Sequence, residues 1–282
     1  MGICLVTVSG GETTTNRQAS VVIAKRVKVF VLTGQSNSLG VTADPGEKDV
    51  SPGENPLDAR IPFLWANRST RAGDGPAVVY GDSGGNIVSL RPQQGEGKNP
   101  MFWGPEIGFG RRLAAAGVTN ILIVKASRGG GGNTWWVNNA KGQMYKHIVR
   151  TVEQAVAALP AGTDFDIAAL LYVQGETDTE SEAKFAGQSL RALAQNLRKD
   201  LPHAEYMKVL VGGITAAGPT RDIVRAQQSA LPATDPTFRY IDTLDLRPQL
   251  LPDQVHLNKS AKLELGRRMA DAWLAWTKGD KD

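Results

Sequence analysis

The sequence predicts a three-layer α/β/α sandwich, with a five-stranded parallel sheet held between two layers of helices. Three observations carry that expectation. Five short apolar runs, rich in β-branched residues, alternate with five segments whose apolar residues recur at helical spacing. The strand-like runs are nearly continuous in apolar residues, the mark of a parallel sheet covered on both faces. A chain of 282 residues, 41% hydrophobic and 21% charged, carries enough apolar material for one sizeable core.

The elements follow in order. Val27–Thr33 (VKVFVLT) is the first strand and ends at Gly34. Pro105–Ala116 reads as a helix, with proline in its first turn, Ile107, Leu113 and Ala114 on one face and Gly117 at its stop. Asn120–Ala126 is the second strand, and Gln143–Leu159 a helix with Ile148, Val152, Ala155, Val156 and Leu159 three or four apart. Asp166–Val173 is the third strand. Glu180–Leu201 reads as one long helix, which Thr179 caps and Glu182 completes as a capping box. Lys208–Gly212, the helix Thr220–Leu231 and the strand Phe238–Asp242 follow. The last helix, Ser260–Trp276, buries Leu263, Leu265, Met269, Ala272, Trp273 and Trp276. Residues 27–278 therefore form one domain. Residues 40–104 break the alternation, being rich in Gly, Pro, Asp and Arg, and are expected to wrap over the sheet's carboxyl edge. Residues 1–26 are expected to be a disordered leader or the remnant of an export segment.

Composition excludes several classes. The net charge of +4, from 32 Lys and Arg against 28 Asp and Glu, is spread along the chain, so a solvated surface is expected rather than a nucleic-acid footprint. The single cysteine, Cys4, rules out an internal disulfide and speaks against a cysteine-based zinc site. No run of 18 apolar residues offers a membrane span. No metal and no cofactor is expected. Oligomeric state is not written in the sequence.

In such a sheet, ligands bind beyond the carboxyl ends of the strands, so the loops there should hold the chemistry. The first reads Gly34-Gln35-Ser36-Asn37-Ser38-Leu39-Gly40; its turn offers a hydroxyl and a free backbone N–H at Ser36. A hydroxyl needs a base, and histidine is the usual one. His147 lies inside a helix and His203 in a polar turn, which suits packing or surface roles. His256 lies in the loop before the last helix, three residues after Asp253. That spacing lets Asp253 accept from one ring nitrogen while the other faces Ser36. The loop Gln174-Gly175-Glu176-Thr177-Asp178 brings an amide and a second carboxylate to the rim. The glycine-rich loop Arg128-Gly129-Gly130-Gly131-Gly132-Asn133-Thr134-Trp135-Trp136 allows close backbone approach, with two tryptophans for a sugar wall or for the core.

These pieces, in this order, resemble the SGNH hydrolase superfamily, flavodoxin-like in fold. More narrowly they resemble carbohydrate esterase family six and the sialate O-acetylesterase domains. The residues that carry the likeness are GQSN at 34–37, WGPE at 103–106, KASRGG at 125–130, QGETD at 174–178, RAQ at 225–227 and DQVH at 253–256. The resemblance spans about residues 27–276. It implies a serine esterase that removes O-acetyl groups from carbohydrates, its partner an acetylated oligo- or polysaccharide such as acetylxylan. Ser36 then matches the nucleophile and His256 the base, with Asp253 or Glu176 as the acid. The N–H of Ser36, a glycine of the 129–130 pair (Gly129 or Gly130) and Gln174 match the oxyanion positions. Gln35, Asn37, Arg128, Trp135 and Trp136 are the expected substrate contacts. Where many relatives carry histidine before QGE, this chain has Val173.

Competing readings are a sialate O-acetylesterase, a short-chain lipase or thioesterase on the same scaffold, and a non-catalytic glycan-binding module. The lipase requires a long apolar groove, which the polar 40–104 segment does not suggest. Retention of both Ser36 and His256 speaks against the binding module. Arginines at 60, 68, 71 and 91 fit either an acidic glycan or loop-stabilising donors, the latter preferred. A secreted or periplasmic setting is expected from the substrate, with the cytoplasm left open.

Overall fold

A computed structural model describes residues 26–42, 50–68, 79–95, 99–137 and 143–279. The expected leader at 1–26 lies outside them except for Arg26, as does Arg71 in the long insertion. In chain order the strands are β1 (Val27–Gly34), β2 (Pro62–Arg68), β3 (Val79–Asp82), β4 (Val88–Ser89), β5 (Gln93–Gln94), β6 (Met101–Phe102), β7 (Ile121–Ser127), β8 (Phe165–Val173), β9 (Lys208–Gly212) and β10 (Phe238–Ile241). The helices are α1 (Ser36–Leu39), α2 (Pro105–Ala115), α3 (Gln143–Ala157), α4 (Glu180–Ala183), α5 (Ala186–Asp200), α6 (Pro219–Ser229) and α7 (Lys259–Gly279).

The α/β/α architecture is as expected, but the sheet is wider. Its order is β10-β9-β8-β1-β7-β2-β3, and β2 pairs parallel with β7, giving six parallel strands instead of five. β3 and β4 add antiparallel partners to β2. The extra parallel strand lies inside the segment 40–104. Its apolar stretch is only Phe63 to Ala66, between Pro62 and the polar Asn67 and Arg68, too short to show a period. Proline is tolerated at its first position. The segment leaves and returns at one place, since Trp103 N–H donates to Gly40 O at 3.2 Å. Its middle thus extends the sheet.

Each central strand divides its residues between two cores, because successive side chains point to opposite faces. Val29 and Val31 of β1 join Leu122 and Val124 against Ile148 and Val152 of α3 and Leu190, Leu193 and Leu197 of α5. Phe30 and Leu32 join Ile123 against Ile107 and Leu113 of α2 and Leu265, Met269 and Trp273 of α7. Burying each such side chain stabilises the fold by about 1.5–3 kcal/mol.

The long helix expected at 180–201 is broken. Thr179 and Glu182 form the expected capping box at the start of α4, but Phe185 leaves helical geometry at φ −114° before α5 begins. The break lets Ala183 and Ala186 both pack on Ile214 and Val224. That preference is tertiary, so spacing along the chain does not reveal it. Among the described residues, no helix is long and apolar enough to cross a membrane.

His147 packs under β2, where its Nε2–H donates to Ala66 O at 2.6 Å. Burial pushes its pKa down to about 4. The unfolded chain takes up this proton near pH 6.5, so stability is present above that pH. It is lost as pH falls toward 4, by roughly 3 kcal/mol in full. His147→Gln keeps a donor for Ala66 without the titration. Urea midpoints at pH 7 and pH 4.5 should therefore fall less in His147→Gln than in the parent chain; equal falls would assign the acid sensitivity elsewhere.

Candidate active site

Three loops diverge from one rung of the sheet. Gly34 at the end of β1 pairs with Ser127 of β7 on one side and Val173 of β8 on the other. Gly34 has φ 144°, and a Cβ there would sit 1.8 Å from Val173 O, so only glycine lets the chain turn this close to its neighbour. Ser36 follows at the start of α1 with 8% of its surface exposed. No backbone acceptor among the described residues takes the N–H of Ser36 or Asn37. Those groups remain available at the head of the turn.

The loop carrying His256 is tied to this turn by Asn37. Asn37 Nδ2 donates to Val255 O at 3.1 Å, and Asn37 Oδ1 accepts from Leu257 N–H at 2.9 Å. The residues on both sides of His256 are thus bonded to the residue that follows Ser36. Asn37 Nδ2 also donates to Glu176 Oε1 at 2.7 Å. Sequence reading placed Asn37 among the substrate contacts, but its amide is spent on joining three loops.

Asp253 and His256 meet as their spacing predicts. His256 Nδ1–H donates to Asp253 Oδ2 at 2.5 Å, while Asp253 Oδ1 accepts from the N–H groups of Val255 and His256, each at 2.9 Å. The tight turn takes Gln254 to φ 57°. Burial works to raise the Asp253 carboxyl, but the bonds from His256 and Val255 outweigh it and hold it below the usual carboxylate range. Glu176 is the opposite case. Burial pushes its carboxyl up, and of its two oxygens Oε1 meets Asn37 while Oε2 is buried without a hydrogen-bond partner. The two candidate acids thus occupy different environments, and the one in contact with the imidazole is Asp253.

The glycine-rich loop is braced from the 174–178 loop. Gln174, expected as an oxyanion donor, is fully buried. Its Nε2 hydrogens go to Asp178 Oδ1 at 3.0 Å and Gly131 O at 3.2 Å, and its Oε1 accepts from Tyr172 at 3.0 Å. A ligand carbonyl would have to displace one of these bonds, so Gln174 acts as a brace. Gln35 is also fully buried, and its Oε1 accepts from Thr177 Oγ1 at 3.0 Å; it too lies beneath the rim rather than on it. Gly129 is buried, whereas the space beside the Gly130 Cα is open.

The two tryptophans part company. Trp136 is 1% exposed and donates its Nε1–H to Thr33 Oγ1 at 3.1 Å, which makes it a core residue and not a sugar wall. Trp135 stays partly exposed, with the Arg128 guanidinium 3.9 Å from its ring centroid. Residues that sequence reading did not assign are Thr177, Asp178 and Asn133. Asp178 accepts from Asn133 N–H at 3.0 Å and from the Asn133 side chain as well as from Gln174. Their signal was the polar density of Gln174 to Asp178 at a strand end. Among the described residues, no group of three or more His, Cys, Asp or Glu side chains is placed to share a metal ion.

A family model described as carbohydrate esterase, sialic acid-specific acetylesterase, matches residues 26–275. No curated protein matches the chain. Among solved structures, a protein of Arabidopsis thaliana is similar at 23% identity and TM-score 0.63, over 89% of this chain and 98% of that one. XAC1771, a carbohydrate acetylesterase of Xanthomonas citri, is similar at 18% identity and TM-score 0.59, over 86% of this chain but 54% of that one. NanS is similar at 15% identity and TM-score 0.53, over 90% of this chain and 98% of that one. At these identities the structural likenesses speak for the fold.

Replacing Asn37 by alanine strands the Leu257 N–H, the Val255 carbonyl and Glu176 at once. Unpaired buried groups cost about 1–3 kcal/mol each, softened here by entering water. Asn37→Ala is therefore expected to lower the urea midpoint by the equivalent of roughly 2–3 kcal/mol. A variant with the parent midpoint would mean that other contacts hold the 252–257 loop.

Proposed function

The chain belongs to the carbohydrate esterase family of sialic acid-specific acetylesterases, and from that premise we propose a serine mechanism for its carbohydrate O-acetylesterase chemistry. The observation that carries the proposal is the Asp253–His256 pair in a loop whose Val255 and Leu257 are bonded to Asn37, the residue after Ser36. The 2.5 Å bond from His256 Nδ1–H to Asp253 fixes the ring tautomer, and the ties of Val255 and Leu257 to Asn37 bring the ring's loop to the nucleophile's turn.

In the first step, Ser36 Oγ attacks the acetyl carbonyl carbon while His256 Nε2 takes the hydroxyl proton. Asp253 stabilises the imidazolium that forms. The oxyanion is received by the N–H of Ser36 and the N–H of Gly130, and such donors are worth about 3 kcal/mol of barrier each. The intermediate collapses, the sugar oxygen leaves with the proton from His256, and the acetyl group stays on Ser36. Water then attacks the acetyl-enzyme with His256 again as base, and acetate is released. Glu176 is assigned a bracing role: burial raises its carboxyl, the bond donated by Asn37 works against that rise, and the same bond ties the 174–178 loop to the turn at Ser36.

The acyl group is short. Among the described residues, the large apolar side chains left exposed are Phe185, Tyr206 and Leu244, and none of these belongs to the four rim loops. The proposed substrate is an acetylated glycan. O-acetyl sialic acid is the second reading, favoured by the Arg128 guanidinium stacked on Trp135 within the glycine-rich loop.

With an acetyl aryl ester, Ser36→Ala should reduce turnover to near background, and full turnover in a clean preparation would remove the nucleophile assignment. Asp253→Asn should lower kcat by at least about 100-fold, as the loss of a triad acid does. Glu176→Gln should cost much less, and the reverse ranking would exchange the two carboxylates. Acetate release from acetylated xylan, O-acetyl sialic acid and acetylated pectin, set beside octanoyl ester hydrolysis, identifies the sugar. A preference for octanoyl would replace this reading by the lipase.

A further inference from the structure

Below the rim, in the layer between the sheet and α2, lies an ion pair that the mechanism does not use. Lys125 shares with Ile121 and Ile123 the face of β7 turned toward α2. It pairs with Glu106 of α2 at 2.8 Å, and both side chains are 0% exposed. The Lys125 ammonium has three hydrogens and three acceptors: Glu106 Oε1 at 2.8 Å, Gln93 Oε1 at 2.7 Å and Leu39 O at 2.9 Å. Glu106 in turn accepts the Gly104 N–H on both oxygens at 2.9 Å and Gln93 Nε2–H at 3.1 Å. Two charges held away from water carry a large desolvation cost, and well-packed apolar residues of the same volume commonly stabilise a fold as well or better. What the charges add is direction, namely a donor aimed at one carbonyl.

That carbonyl closes the nucleophile's turn. Leu39 is the last residue of α1, and four residues are too few to hold helical geometry alone. Each part of the turn is pinned from outside. Asn37 bonds to the His256 loop, and Ser38 Oγ meets Ser127 Oγ at 2.7 Å. Gly40 backs onto Trp103 so closely that a Cβ would sit 1.9 Å from that residue's carbonyl. Lys125 supplies the anchor at the carbonyl end, where a cation also suits the turn's dipole.

We propose that the buried Lys125–Glu106 pair is a positioning device for the nucleophile, holding the Leu39 carbonyl so that the turn bearing Ser36 keeps its place against the His256 loop. The proposal rests on the serine-esterase reading above. Lys125 and Glu106 touch no substrate; they act through α1.

The test is Lys125→Met combined with Glu106→Gln, which removes both charges, keeps the volumes and leaves an acceptor for Gly104. Near-UV circular dichroism should stay close to the parent, while Tm is expected to fall by a few degrees because the Leu39 carbonyl and Gln93 Oε1 lose their donor. On an acetyl aryl ester, kcat should fall about 10- to 100-fold, the scale of a small misplacement of reacting groups, with KM within about threefold. The rate at which a phosphonate reagent labels Ser36 should fall in parallel, a change that a purely structural role would not produce in a folded variant. A folded double variant with parent kcat and parent labelling overturns the proposal. Should the double variant not fold, Glu106→Asp makes the same comparison, because it draws the carboxylate back by one carbon while keeping both charges. Reduced labelling at unchanged KM is then expected, and parent labelling overturns the proposal. A parent chain that neither hydrolyses the ester nor takes the label removes the serine-esterase reading itself, a result distinct from an active parent with an unaffected variant.

Discussion

The amide of Asn37 is the contact on which the site depends. It reaches Val255 and Leu257 across sequence separations of 218 and 220 residues, and it reaches Glu176 across 139. Loops have little stability of their own, and two loops from distant parts of a chain stay together only if specific bonds offset their entropy. An amide suits this task because it donates and accepts at the same time. A carboxylate in its place would present an acceptor to the Val255 carbonyl and to Glu176, and a hydroxyl would be too short to span three partners. The ring of His256 is therefore located by the backbone on either side of it, and Asp253 sets its tautomer and rotation.

The strands β1, β7, β8, β9 and β10 and most of the helices could be read from the sequence, because hydrophobic period and helix stop signals act locally. The two departures have non-local causes. β2 carries too few apolar residues between Pro62 and Asn67 to announce itself, and it becomes a strand because β7 offers a free edge. The helix at 180–201 breaks at Phe185 because its two halves pack on the same small cluster around Ile214 and Val224.

Within the site, the meeting of Asp253 with His256 could be read in advance because spacing and strand-end position are sequence properties. The duties of the amides could not. Gln174 and Gln35 stand at strand ends as an oxyanion donor or substrate contact would, yet the Gln174 amide is taken by Asp178, Gly131 and Tyr172, and Gln35 is buried with its Oε1 taken by Thr177 and its Nε2 unpartnered. Adjacent tryptophans likewise look equivalent in sequence. The 3-10 turn at Asn133–Trp135 sends Trp136 inward to Thr33 and leaves Trp135 beside Arg128.

The carboxylates near this edge show how burial divides their labour. Asp253, half exposed and bonded to two backbone N–H groups and the imidazole, stays ionised and can stabilise a positive ring. Burial pushes Asp178 up to about 7, even though Gln174 and Asn133 donate to it. Near neutral pH the brace under the glycine-rich loop therefore sits close to its titration, whereas the group that serves the histidine does not. On the proposed mechanism, the site cycles its histidine through a cationic form and gains from this separation. The carboxylate beside the ring is that of Asp253, whereas the carboxyls deeper in the wall, raised by burial, hold loops in place.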